Sequence, residues 1–230
     1  MTSLKVIARI QSEFKEKFGI PRQSGIVDSL KARIVFEPEY RDASSLRGLE
    51  KFSHIWLIWG FSQIKRDTWS PTVRPPRLGG NARMGVFATR SPNRPNPIGL
   101  SSVRLEHIEA LTQEGPVLHV LGGDLMDGTP IYDIKPYVPY ADCRADAAAG
   151  FASEPGGKLK VQIDDKWLKF LPQGRGETLI EVLALDPRPS YQNDSERVYG
   201  MVFAGLEVKF TISGDVLTVT EIAVVNKKTD

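Results

Sequence analysis

The chain of 230 residues has a single cysteine, Cys143. No disulfide can close within it, and a reducing compartment is expected. Histidine is nearly as scarce, with only His54, His107 and His119. Three imidazoles and one thiol at unrelated spacings form no zinc-binding pattern. No metal is predicted, although an oxygen-ligand magnesium site stays open. Long apolar runs are missing too. The longest, HIWLIWGF at 54–61, is too short for a membrane helix and fits a buried strand. The first residues, MTSLKVIARIQSEFKEKF, lack a signal-peptide core, so a cytoplasmic protein with no membrane partner is expected. Neither GxGxxG nor GxxxxGK followed by Ser or Thr occurs. A nucleotide-like ligand would therefore bind outside the doubly wound α/β plan.

With 41% hydrophobic and 25% charged residues, the chain has the composition of a soluble globular protein. Six segments are rich in Val, Ile, Leu and aromatics and are separated by Gly, Pro and polar clusters. They are LKVIARI (4–10), ARIVFEP (32–38), HIWLIWGF (54–61), MGVFATR (84–90), SSVRLEHI (101–108) and PVLHVLGGDL (116–125). All six read as strands. A short helix is expected at SSLRGLEKF (44–52). Many strands and few helices predict a mainly β fold with a closed, barrel-like sheet, which leaves no unpaired edge. Residues 1–140 are assigned to this barrel domain. An Ala/Gly-rich linker follows at 141–158, then a small α+β C-terminal domain at 159–230. That domain carries a short strand near KVQID, a helix at TLIEVLAL (178–185), and a hairpin turning at Ser213-Gly214-Asp215.

Charge is distributed unevenly. Residues 71–100 contain Arg74, Arg77, Arg83, Arg90 and Arg94 and no acid. The formal net charge is +2, so removing these five leaves −3. Six prolines and four glycines interleave the arginines, implying preset turns rather than a solvated helix face. Guanidinium forks on a stiff loop suit phosphate and stack on bases. The plainer alternative is a solvated, turn-rich loop. Arg74, Arg77 and Arg94 are taken as candidate contacts to a nucleic-acid substrate.

The string GGNARMGVFATRSPNRPNPIGL, with DLMDGTPIYDIKPY at 124–137, resembles the TsaA-like (YaeB/TrmO) family. The similarity extends back through KEKFGIPRQSGIV (15–27) and RGLEKFSHIWLI (47–58), and DPRPSY (186–191) is similar to the family's C-terminal motif. The resemblance implies a single-sheet β-barrel working as a homodimer. It also implies an S-adenosylmethionine-dependent methyltransferase acting on N6 of threonylcarbamoyl-adenosine, just 3′ of the tRNA anticodon. Partners would be the tRNA anticodon loop and a second copy, and not DNA. Carried over with the motifs, the cofactor-binding residues are Arg22, Gln23, Ser53, His54, Arg90, Leu100, Asp127, Gly128, Thr129 and Pro130.

Each of these has a plainer reading. Arg90 at a strand end suits a salt bridge, His54 suits a hydrogen-bonded core position, and Asp127-Gly128-Thr129-Pro130 is first a turn. The turn would also present backbone amides to a ligand. His107 and His119 are taken as structural. Asp133, Lys135 and Tyr137 alternate in IYDIKPY and share one face of a strand. Asp133 and Tyr137 are the candidate proton handlers and Lys135 a candidate substrate contact, with a cross-strand ion pair as the alternative. Arg188 and Tyr191, displayed on a Pro-rigid turn, are candidate substrate contacts, arginine for phosphate and tyrosine for a base. A non-catalytic RNA- or nucleotide-binding barrel, or methylation of a small molecule, would be the competing functions.

Overall fold

A computed structural model describes residues 4–64, 68–79, 82–153, 156–189, 192 and 194–225, with the side chain of Arg77 outside that set. The barrel strands are β1 (Ala8–Ser12), β2 (Lys31–Phe36) and β3 (His54–Gly60). A two-stranded ribbon of β4 (Thr72–Val73) and β5 (Met84–Gly85) intervenes before β6 (Ile98–Glu109), β7 (Val117–Leu121) and β8 (Pro130–Pro136). Strands β1-β2-β7-β6-β3-β8 hydrogen-bond in that order and close into a six-stranded antiparallel barrel. Closure follows from alternation. Ala32, Ile34 and Phe36 of β2, Ile55, Leu57 and Trp59 of β3, and Val103 and Leu105 of β6 turn inward and are buried. The larger of these side chains contribute about 1.5–3 kcal/mol each by leaving water. Gly99 is required here, because a Cβ at that position would overlap the Trp59 indole.

Beyond the barrel come helices α1 (Pro139–Asp142), α2 (Asp165–Leu168) and α3 (Arg175–Ala184) and strands β9 (Lys160–Gln162), β10 (Tyr199–Phe203), β11 (Leu206–Ser213) and β12 (Val216–Val224). The second sheet runs β10-β11-β12-β9, with β9 parallel to β12. Helix α3 buries Leu179, Val182 and Leu183. Gly214, at φ 59, turns the expected hairpin between β11 and β12. Among the described residues, no helix is long and apolar enough to cross a membrane.

Two expected elements differ. The segment MGVFATR pairs only at Met84–Gly85 and then enters a 3-10 turn at Val86–Ala88. Its partner β4 is two residues long and is soon followed by Pro75 and Pro76, which lack the N–H a ladder needs. The expected helix at 44–52 is two 3-10 turns, Ala43–Leu46 and Leu49–Lys51, separated by Gly48 at φ 91, a left-handed residue that cannot continue a helix.

The segment between β1 and β2 packs against the second sheet. Phe14, Val27 and Leu30 belong to the same buried cluster as Leu179, Phe203 and Phe210. Phe18 stacks on Tyr199 and Phe210. The Arg175 guanidinium pairs with Glu13 at 2.9 Å and donates to the Ser29 carbonyl. Burial pushes the Glu13 carboxyl up, and the charge of Arg175 pulls it part of the way back. The second sheet therefore holds this arm, and the arm carries Arg22 and Gln23.

Candidate functional site

One end of the barrel is its mouth, where β1, β3 and β7 finish and β6 and β8 begin. There the Arg90 guanidinium donates to the Gln23 side-chain oxygen, and Gln23 donates to the Arg22 carbonyl at 2.5 Å. Arg90 follows the 3-10 turn rather than a strand. Beside it stands Asp124, at the end of a chain of hydrogen bonds from the barrel interior. The Trp59 indole N–H donates to Ser101 Oγ at 3.0 Å, and Ser101 Oγ donates to Asp124 Oδ1 at 2.6 Å. Burial raises the Asp124 carboxyl above the ordinary 3.8, opposed by Ser101, by backbone donors and by the charge of Arg90. The charge of Arg90 thus reaches a half-buried carboxyl at this mouth. Sequence reasoning left out Asp124 and Ser101. The available signal was a serine at an inward position of β6, in line with the apolar Val103 and Leu105.

The turn Asp127-Gly128-Thr129 closes the same end. Its three amides are already engaged: Asp127 donates to the Phe14 carbonyl, Gly128 to Ile10 and Thr129 to Met126. The Asp127 carboxylate accepts from the Ser12 amide at 2.9 Å and pairs with Lys15 at 2.5 Å. The expectation that the turn presents free amides is therefore corrected. Its Gly128 and Thr129 carbonyls also accept, from Arg9 and the Ile10 amide, so the turn offers the exposed Gly128 surface and its shape, while Thr129 and Pro130 are buried.

Ser53 and His54 lie at the other end, where β3 begins. Ser53 Oγ meets His54 Nδ1 at 3.0 Å, and the His54 carbonyl accepts from the Tyr137 amide. The His54 and Tyr137 rings are 6.2 Å apart, and Trp56 packs on Tyr137 at 5.6 Å. From His54 to Gly60 the strand runs about 20 Å, at roughly 3.3 Å per residue. Leu100 and Asp133 lie between the two ends on the outer wall, each paired in register with Ile58. Within one chain, the residues carried over from the family motifs, Leu100 apart, therefore form two groups. Arg22, Gln23, Arg90 and Asp127–Pro130 gather at the mouth, while Ser53 and His54 lie at the far end with Tyr137.

Asp133 and Lys135 share the outer face of β8, and Tyr137 follows just past its end. Asp133 pairs with Lys135 at 3.0 Å along the one strand, whereas the alternative reading had an ion pair across strands. Arg94 folds onto its own loop and donates to the Thr89 carbonyl at 3.1 Å. Arg74 is exposed at the end of the ribbon, and Arg77 falls in the 3-10 turn Pro76–Leu78. Arg188 is not displayed, contrary to expectation. Its side chain is 13% exposed and grips both Asp186 oxygens, at 2.9 and 3.0 Å. Asp186 has a left-handed backbone, φ 53, which turns the chain so that this grip can form. Tyr191 lies outside the described residues. The motif still borders a groove of about 380 Å³ that brings Arg188, Pro187 and Pro189 opposite Arg22, Pro21 and Pro76.

Comparison with known proteins gives matches along nearly the whole chain. The profile described as the tRNA-methyltransferase O N-terminal domain matches residues 9–143, and the TrmO C-terminal domain profile matches 158–225. A tRNA (adenine(37)-N6)-methyltransferase of Escherichia coli is 44% identical over 217 residues, covering 90% of this chain and 92% of the relative. A Pseudomonas aeruginosa protein described as a putative S-adenosylmethionine-dependent methyltransferase is 43% identical over 214 residues, covering 90% of each. The crystal structure of TrmO from P. aeruginosa superposes with a TM-score of 0.79 at 36% identity, covering 97% of both chains.

Proposed function

The chain belongs to the tRNA-methyltransferase O family, and on that premise we propose that it methylates N6 of adenine 37 in tRNA with S-adenosylmethionine as donor. The acceptor is the threonylcarbamoyl form of that adenosine, met in the anticodon loop, and the enzyme works in the cytoplasm on RNA rather than DNA. The observation that carries the reading is the match of both family profiles, in order, at 44% identity to an enzyme so described.

The mouth suits the donor. A zwitterionic amino-acid end needs an anion and a cation within reach of one site, and Asp124 and Arg90 are the candidates at the mouth. When bound, S-adenosylmethionine supplies a methyl group on a positively charged sulfur. Arg90, steadied by Gln23, would hold the carboxylate end through charge-assisted hydrogen bonds. Arg22 and the Asp127–Pro130 turn complete that half of the site. Much of the protein's contribution is then alignment of donor and acceptor.

The second half, Ser53 and His54, needs a second copy. Leu100, 55% exposed, and Ile98, 36% exposed, share the outer wall of β6 and β3 with the half-buried Trp56 and Ile58. An apolar wall of this kind supports a two-fold homodimer. In such a pair, one protomer's β3 start would complete its partner's mouth. Asp133 and Tyr137 lie on that same wall, and they remain the candidates for taking the N6 proton.

The test is methyl transfer from labelled S-adenosylmethionine to two matched tRNA pools, with and without threonylcarbamoyl-adenosine. Label should enter only the modified pool. Label in neither pool, with tRNA binding intact, would overturn the reading.

A further inference from the structure

Between β3 and β6 the chain leaves the barrel mouth and returns to it, and two aromatic side chains on this excursion face solvent. Trp69 is 49% exposed and Phe87 is 71% exposed. Their rings stack at 6.1 Å between centroids and 28° between planes. A single exposed aromatic residue is common and needs no explanation. A stacked pair whose backbone is fixed on both sides is a different matter. Val86, beside Phe87, is 1% exposed, and its amide donates to the Pro71 carbonyl at 3.0 Å. The Val86 carbonyl accepts from the amide and hydroxyl of Thr89. On the other side Ser70 Oγ donates to the Thr72 carbonyl at 2.7 Å. Burying Val86 in this 3-10 turn is what turns Phe87 outward, against Trp69.

The surroundings select the occupant. The ribbon beside the pair carries exposed Arg74 and Arg83, and residues 71–100 contain no acid. Arg83 is itself steadied by a bond to Thr72 Oγ1 at 3.1 Å. Flat aromatic faces beside exposed cations, on an excursion whose one acid is Asp67 against seven lysines and arginines, match an unpaired base joined to phosphates. The apolar wall that suits a second copy lies elsewhere, on the outer face of β6 and β3. We propose that Trp69 and Phe87 form a stacking platform for one unpaired base of the tRNA anticodon loop, holding the loop over the mouth while the neighbouring adenine enters. This inference rests on the tRNA-methyltransferase reading.

The experiment uses the full-length protein with Trp69→Ala, Phe87→Ala and Trp69→Phe. Binding to a fluorescent anticodon stem-loop and to a duplex lacking the loop is measured at two salt concentrations. S-Adenosylmethionine affinity and oligomeric state are followed alongside. Each alanine variant should bind the stem-loop about 5- to 150-fold more weakly, the loss expected when one base is deprived of its aromatic partner. Duplex binding and the salt slope should stay unchanged, because no phosphate contact is removed. Trp69→Phe should keep most of the affinity. Stem-loop affinity equal to the parent's in both alanine variants would overturn the platform. A loss that merely tracks dissociation into monomers would overturn it too, making the pair a contact between copies. Stem-loop binding tests the platform whatever the activity. If the parent methylates modified tRNA while the variants bind as it does, only the platform falls. If the parent transfers no methyl group, the functional reading itself falls.

Discussion

Replacing Phe14 with alanine should loosen the C-terminal sheet and, through it, the proposed cofactor site. Phe14 is two residues beyond β1, yet its ring is 2% exposed and meets Phe203 edge-on at 6.0 Å. A buried Phe→Ala change costs about 3–5 kcal/mol. A unit of about 70 residues has roughly 3.5–10 kcal/mol of stability in total, so the loss is about a third of it or more. At about 1.4 kcal/mol per factor of ten, amide exchange in β10, β11 and β12 should accelerate roughly 10²- to 10³-fold or more. The barrel strands should hold near parental protection, because their core contains none of the side chains disturbed. Arg22 and Gln23 ride on the loosened arm, so S-adenosylmethionine should bind more weakly even though Phe14 does not touch the mouth. Hydrogen exchange resolved by peptide, with calorimetric titration of the donor, reads both effects. Equal acceleration in the barrel and the C-terminal sheet, or full donor affinity beside a loosened sheet, would refute the coupling.

Arg90→Ala should weaken S-adenosylmethionine about 10- to 150-fold, the value of a charge-assisted hydrogen bond, while leaving tRNA affinity near parental; unchanged donor affinity sinks the assignment. Replacing Arg74 and Arg77 together with alanine should reduce the salt slope of tRNA binding by about 0.7–0.9 for each phosphate left without its cation, and a slope equal to the parent's would count against it. The Asp124 carboxyl is raised above 3.8 in the folded protein, so its contribution to stability is fully present below that pH and is lost as pH rises through the folded value. Thermal melts of Asp124→Asn should therefore fall less than the parent's over that interval. Glu13, raised in the same direction, leaves a residual slope, and parallel melting curves for parent and variant would refute the sign.

The barrel was legible because its strands obey a local rule. The alternation that opens KARIVF and the short apolar run HIWLIWG are both visible without knowledge of neighbours, and closing the sheet satisfies the barrel strands together. Where local rules misled, a backbone group decided. Pro75 and Pro76 cut short the ribbon pairing, and Gly48 at φ 91 broke the expected helix. The arm at 13–30 was opaque for a different reason. Phe14, Val27 and Leu30 have no helical or strand period, and the surface they cover comes from residues 171–222, far along the chain. No window of sequence contains both sides of that interface.

The site was legible only as a set of motifs, and the same physics explains why its roles were harder to assign. A count of five arginines treats them as equivalent, yet hydrogen bonding divides them. Arg94 is taken up by the Thr89 carbonyl and Arg90 by Gln23, while Arg74 and Arg83 stay on the exposed ribbon. Arg188 follows the same logic. A guanidinium two residues from a carboxylate whose backbone is left-handed finds that carboxylate before any phosphate. A charged residue contributes to binding only the capacity its own fold leaves unused. That residue-by-residue accounting favours the exposed ribbon over the wider basic segment as the surface proposed to meet tRNA.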